Sequence, residues 1–146
     1  MTSLQKPAFA FPVRVYWEDT DAGGIVFYAN YLKFMERART EWLRALGIGQ
    51  RALKAETGCM FVVTDTALRY LRPARLDDEL LVTAHLEQSG RASLTIGQQV
   101  LAAGTAASAD QRAVLCEGQI RISWVNAATL KPSRIPPTLL EALNNS

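Results

Sequence analysis

Residues 13–43 read VRVYWEDTDAGGIVFYANYLKFMERARTEWL, and a change of hydrophobic period inside this stretch decides the fold. Residues 12–18 alternate, with Val13, Val15 and Trp17 on one face and Arg14, Tyr16 and Glu18 on the other. That is the pattern of a half-buried strand. The acid- and glycine-rich segment Asp19, Thr20, Asp21, Ala22, Gly23, Gly24 cannot easily continue it. From residue 28 to residue 46 the period becomes helical. Tyr31, Met35, Ala38, Trp42 and Ala45 recur three and four apart, and Leu32, Phe34, Leu43 and Leu46 broaden the stripe. Lys33, Arg37, Glu41 and Arg44 fill the opposite face, and Gly47 and Gly49 supply the stop.

Beyond the helix the chain turns strand-like, after a connector that holds a short helix over residues 50–56. Residues 60–71 are rich in Val, Thr and aromatics, and residues 79–88 alternate cleanly. Leu94, Ile96 and Val100 mark the next strand, and a loop of small and polar residues, 102–112, follows. In the last strand Val114, Cys116, Ile120, Ile122 and Trp124 share one face, with Glu117, Gln119, Arg121 and Ser123 on the other. Pro132, Pro136 and Pro137 close the sheet region, and residues 139–143 form a terminal helical turn. The order is strand, long helix, four strands, and the short connections favour an antiparallel meander. A helix with so broad an apolar face needs a concave surface to cover it. The pattern therefore predicts an α+β fold with one sheet of about five strands around one major helix.

Length and charge narrow the function classes. A chain of 146 residues fits one domain spanning residues 1–146, with residues 1–10 as a flexible extension. The net charge of +2 is spread without a basic run, which argues against a general nucleic-acid binder. No stretch reaches the ~18 apolar residues of a membrane span. The N-terminus lacks the apolar segment of a signal peptide, so the expected compartment is the cytoplasm. The two cysteines, Cys59 and Cys116, sit beside apolar residues and are expected to be buried, reduced thiols.

Chemistry belongs where local rules are least comfortable. The segment DTDAGGIVFYANY, residues 19–31, places two carboxylates and two glycines between a strand and a helix. Glycines such as Gly23 and Gly24 let a ligand approach the backbone closely. The helix N-terminus offers free N–H donors and a positive dipole end. Together they can polarise a carbonyl beside a carboxylate that attacks it or activates water. On spacing alone, an ordinary turn and helix cap is the better explanation.

The same run, residues 13–43, resembles the signature of the YbgC-type and 4-hydroxybenzoyl-CoA-type hotdog thioesterases. Its core, Asp-x-Asp-x-x-Gly-[IV]-Val-[FWY], is met by Asp19, Asp21, Gly24, Ile25, Val26 and Phe27, and weaker similarity runs through YLRPARLDD, residues 70–78, into the later strands. The resemblance implies a hotdog fold, with subunits paired into homodimers that often assemble as homotetramers and with active sites at the dimer interface. It implies a catalytic Asp21, a supporting Asp19, and a backbone N–H at Tyr28 facing the thioester oxygen. Many YbgC-type members carry His where this chain has Tyr28, so no imidazole assists there. The backbone donor survives the exchange, and what changes is substrate preference.

The implied reaction is hydrolysis of an acyl-CoA, or of an acyl carrier protein thioester, with no cofactor and no metal. Gly23, Gly24 and Phe27 are expected to contact substrate. Arg91 and Ser93, which follow a turn at Gly90, stand where related thioesterases contact the CoA phosphates, and a guanidinium suits that task. Glu36 invites comparison with thioesterases that use a helical carboxylate, but its spacing favours an ion pair with Arg39. His85, the one histidine, falls mid-strand on the face away from Leu80, Val82 and Ala84 and is read as a surface or subunit-contact residue. Two other functions compete. A 3-hydroxyacyl thioester dehydratase would need a well-placed His, and a non-catalytic adaptor linked to the Tol-Pal envelope system would need no catalytic carboxylate.

Overall fold

Strand β1 (Phe9–Arg14) opens the chain in the computed structural model, which describes residues 9–104 and 112–145. Helix α1 (Asn30–Ala45) and a short α2 (Gln50–Thr57) follow. Then come β2 (Cys59–Tyr70), β3 (Glu79–Ser89), β4 (Ser93–Ala102), β5 (Val114–Asn126) and a terminal α3 (Pro137–Asn144). The predicted α+β architecture is present, with one five-stranded sheet in the order β1-β3-β4-β5-β2 and every neighbouring pair antiparallel.

The meander expectation holds for β3, β4 and β5 alone. Strand β2 pairs with β5 and β1 with β3, so residues 71–78 carry the chain from one edge of the sheet back toward the other. Hydrophobic alternation is blind to this choice, because it records which face a residue takes and not which neighbour its strand has.

The first strand also departs from expectation. It begins earlier than residue 12 and ends at Arg14, and the chain then tightens into a single turn over Trp17–Asp19. The Asp19 carboxylate accepts the Tyr16 N–H at 2.9 Å, and the Asp19 N–H donates to the Tyr16 carbonyl at 3.0 Å. Alternation stops there. Val13 and Val15 stay buried, but Trp17, expected beside them, is 76% exposed. Residues 9 and 10 belong to β1, and the rest of the expected N-terminal extension lies outside the described residues, as does most of the 102–112 loop.

The core forms between α1 and the inner face of the sheet. Tyr31, Phe34, Met35, Ala38 and Trp42 of the helix pack in one cluster with Leu80, Val82, Ala84, Leu94, Ile96, Val100, Ile120, Ile122 and Trp124. Burying each of the Val, Leu, Ile, Phe and Met side chains among them contributes about 1.5–3 kcal/mol. Ala45 and Leu32, counted in the helical stripe, remain exposed. Gly47, at φ +82°, takes the left-handed conformation that ends α1. The buried Gln98 pins helix to sheet. Its amide donates to the Met35 and Thr83 carbonyls at 3.0 and 3.1 Å, and its oxygen accepts Arg39 at 2.9 Å. The expected Glu36–Arg39 pair therefore gives way. Arg39 turns inward to Gln98, Glu36 accepts Thr40 Oγ1 at 3.2 Å, and desolvation lowers the Arg39 pKa while the Glu36 charge offsets part of that. Cys59 and Cys116 are free and buried, as expected.

Candidate active site

The segment between β1 and α1 is held from within and from the neighbouring connector. Asp19 is buried, and its backbone carbonyl accepts the Phe27 N–H at 3.0 Å and the Asn30 side-chain amide at 2.8 Å. These bonds close the loop on itself. Val26 N–H donates to Ala74 at 2.8 Å and Leu76 N–H to Gly24 at 3.1 Å, which stitches the loop to the chain entering β3.

Asp21 stands exposed inside that frame. Its Oδ1 accepts the Gly23 N–H at 2.8 Å and the Ile25 N–H at 3.4 Å, while its own N–H donates to the Ile25 carbonyl at 2.8 Å. The second carboxylate oxygen has no hydrogen bond or ion pair within the chain among the described residues. One oxygen is thus anchored and the other is unbonded among the described residues. Gly24 adopts φ +77°, which a side chain would resist, and a Cβ on Gly23 would sit 3.3 Å from Asp21 Oδ1.

Tyr28 lies at the far end of the loop, 64% exposed, one residue before the α1 cap at Ala29. The peptide that carries its N–H is oriented by the bond from Asn30 N–H to the Phe27 carbonyl, 2.8 Å. That N–H itself has no acceptor within the chain among the described residues. The Tyr28 carbonyl accepts the Tyr70 hydroxyl at 2.9 Å. Phe27 and Tyr28 pack with tilted rings, centroids 4.7 Å apart, and Tyr70 meets Tyr28 and Tyr31 edge-on at 6.4 and 5.5 Å. An exposed aromatic wall therefore borders the Asp21 loop. Residue patterning missed Tyr70 and Asn30 as parts of this frame. An aromatic closing a strand before Pro73 and an amide at a helix start were the available signals.

Arg91 and Ser93 are elsewhere. They sit at the β3–β4 hairpin, where Gly90 N–H donates to the Ser93 carbonyl at 2.7 Å and Arg121 reaches Ser93 Oγ at 3.5 Å. Strand β3 starts beside the Asp21 loop and runs its 11 residues away from it. At ~3.3 Å per residue that separates the two groups by about 35 Å within one chain. His85 is 52% exposed on the outer sheet face, 3.7 Å from Glu87 and across from Gly97. Among the described residues no group of three or more His, Cys, Asp or Glu converges as a metal site requires, and no helix is long and apolar enough to cross a membrane.

The profile of the thioesterase-like superfamily matches residues 15–143. The chain belongs to that superfamily. It is 39% identical over 132 residues to the acyl-CoA thioester hydrolase YbgC of Escherichia coli O6:H1, covering 90% of this chain and 92% of that protein. It is 36% identical over 137 residues to the acyl-CoA thioesterase YbgC of Haemophilus influenzae, covering 94% and 95%. Among solved structures, a probable thioesterase from Bartonella henselae superposes with a TM-score of 0.79 at 29% identity, over 89% of this chain and all of that one, 100%. The chain is a YbgC-like thioester hydrolase of hotdog fold.

Proposed function

We propose that this chain hydrolyses acyl-CoA thioesters, with Asp21 as the reacting carboxylate and the Tyr28 N–H as oxyanion donor. The observation that carries the reading is the free Asp21 oxygen in a loop whose other end presents an unpaired N–H at the mouth of α1. The thioester carbonyl oxygen points at that N–H and at the positive end of the helix dipole. Asp21 either attacks the carbonyl carbon to give a mixed anhydride or takes a proton from the attacking water. In the first route the C–S bond breaks to expel the CoA thiol, and water then hydrolyses the anhydride, freeing the acid and Asp21. In the second, water adds directly and the same two products leave. The relatives named for acyl-CoA hydrolysis support CoA as the carrier, and acyl carrier protein thioesters belong in the same substrate panel.

A second copy of the chain completes the site. Strand β2 is a 12-residue edge strand whose outer side has no partner strand among the described residues. Antiparallel pairing of β2 with its own copy inverts one sheet against the other. The Asp21 end of one subunit then lies toward the Arg91–Ser93 end of its partner, where a guanidinium can meet the CoA phosphates. The experiment is Asp21→Asn on short, long and aromatic acyl-CoAs with free thiol as readout. A loss of at least hundredfold is expected, and near-normal turnover refutes a catalytic Asp21.

A further inference from the structure

The proposed oxyanion donor is built into an exposed turn, and its stiffness is a structural question. Up to Phe27 the loop is tied down: Phe27 N–H to the Asp19 carbonyl, Val26 N–H to the Ala74 carbonyl. From Asn30 onward the chain is helix. Tyr28 and Ala29 lie between, and the Ala29 cap makes no side-chain hydrogen bond. The Tyr28 N–H peptide is oriented on one side by Asn30 N–H, and the next peptide is gripped by the Tyr70 hydroxyl at the Tyr28 carbonyl, 2.9 Å.

We propose that Tyr70, at the end of edge strand β2, is a positioning residue that fixes the Tyr28–Ala29 peptide and through it the aim of the Tyr28 N–H. This rests on the reading of Tyr28 as oxyanion donor. The grip comes from far along the chain, 42 residues away in sequence. Tyr70 is itself held: its backbone is in register with Cys116 of β5, and its ring lies edge-on to Tyr31. A hydrogen bond to a carbonyl also polarises the N–H of the same peptide, here that of Ala29, so the local field at the helix mouth gains from it. Desolvation, and after it Cys116, Tyr31 and Tyr28, raises the Tyr70 pKa, so the phenol stays in its donor form across the neutral range. Because Tyr70 sits on the open-edged strand, it also links the edge available for subunit pairing to the oxyanion turn.

Tyr70→Phe removes the hydroxyl and keeps the ring. On a productive acyl-CoA the expected result is a drop in kcat of about fivefold, the scale of one neutral hydrogen bond, with KM unchanged within twofold. The melting temperature stays near wild type, and the Ala29 amide resonance moves in a ¹⁵N-correlated spectrum. Tyr70→Leu, which also removes the ring, should show at least the same loss of kcat. A wild-type kcat for Tyr70→Phe, a loss carried by KM alone, or an unmoved Ala29 amide each overturns the proposal. Asp21→Asn measured alongside separates the two levels. If it is inactive while Tyr70→Phe is normal, only the positioning role falls; if it is fully active, the reading of Asp21 falls, and the positioning role stands or falls on the kcat of Tyr70→Phe.

Discussion

Two carboxylates two residues apart are easily confused, and substitution of Asp19 tests the division of labour between them. Asp19 is 6% exposed, and its Oδ2 accepts the Tyr16 N–H at 2.9 Å. Asp19→Ala leaves that part-buried donor without its acceptor and deletes a charge-assisted bond worth about 1.5–3 kcal/mol. Asp19→Asn keeps an acceptor oxygen in place and should cost about 1 kcal/mol. For a chain of this size 1 kcal/mol shifts the melting temperature by roughly 3 °C, so the expected drops are about 5–9 °C for Ala and about 3 °C for Asn. The backbone carbonyl that holds Phe27 and Asn30 is untouched in Asp19→Asn, so the frame around Asp21 persists. Its kcat should stay within about fivefold of wild type, while Asp21→Asn, which removes the proposed attacking or proton-accepting oxygen, should lose ~10²–10⁴-fold. Thermal melts by circular dichroism and free-thiol release on the same preparations supply both readouts. If Asp19→Asn melts like wild type and loses a hundredfold in kcat, Asp19 is chemical and the assignment of roles is wrong.

Three further outcomes are expected. If each site takes Asp21 from one subunit and Arg91 from the other, mixing Asp21→Asn chains with Arg91→Ala chains should regenerate one wild-type site per hybrid dimer. Activity at subsaturating acyl-CoA should then exceed that of either parent, and no gain on mixing would remove Arg91 from the site. Gly118→Ala should lower the melting temperature markedly, because the new Cβ would stand 2.4 Å from Leu68 Cδ2 and 2.6 Å from the Ala67 carbonyl oxygen. The backbone contact leaves no cheap relief, so a cost of about 2–3 kcal/mol is expected, and an unchanged melt would contradict the packing of β2 on β5. Burial pushes the Cys116 thiol up to about 11 from 9.0, so it stays protonated and inert to DTNB in the native protein at neutral pH and reacts on unfolding. The sign for stability follows: this contribution is full below pH 9.0 and is lost as pH rises toward 11. Stoichiometric labelling of Cys116 in folded protein at pH 7 would contradict it.

Much of this was legible in the residues themselves, because period and composition are local. The 3.6-residue repeat from Tyr31 to Trp42 and the two-residue alternation of Leu80, Val82 and Ala84 set helix and strands, and both faces are buried as read. The acid–glycine segment stood out as the candidate for the chemistry, and family resemblance, not spacing, selected Asp21 over Asp19 as the proposed reacting carboxylate. Tertiary structure decided what depends on partners distant in sequence. Trp17 left the core because the Asp19 carboxylate captured the Tyr16 N–H and ended the strand. Strand β2 went to the sheet edge beside β5, a pairing that side-chain alternation cannot encode. Arg91 and Ser93, which resemblance grouped with Asp21, came to rest at the opposite end of β3, since a strand carries its two ends apart at a fixed rise per residue. And Tyr70 reached the Tyr28 carbonyl across the fold, because a hydrogen bond needs only 2.9 Å in space and leaves no trace in the spacing of the chain.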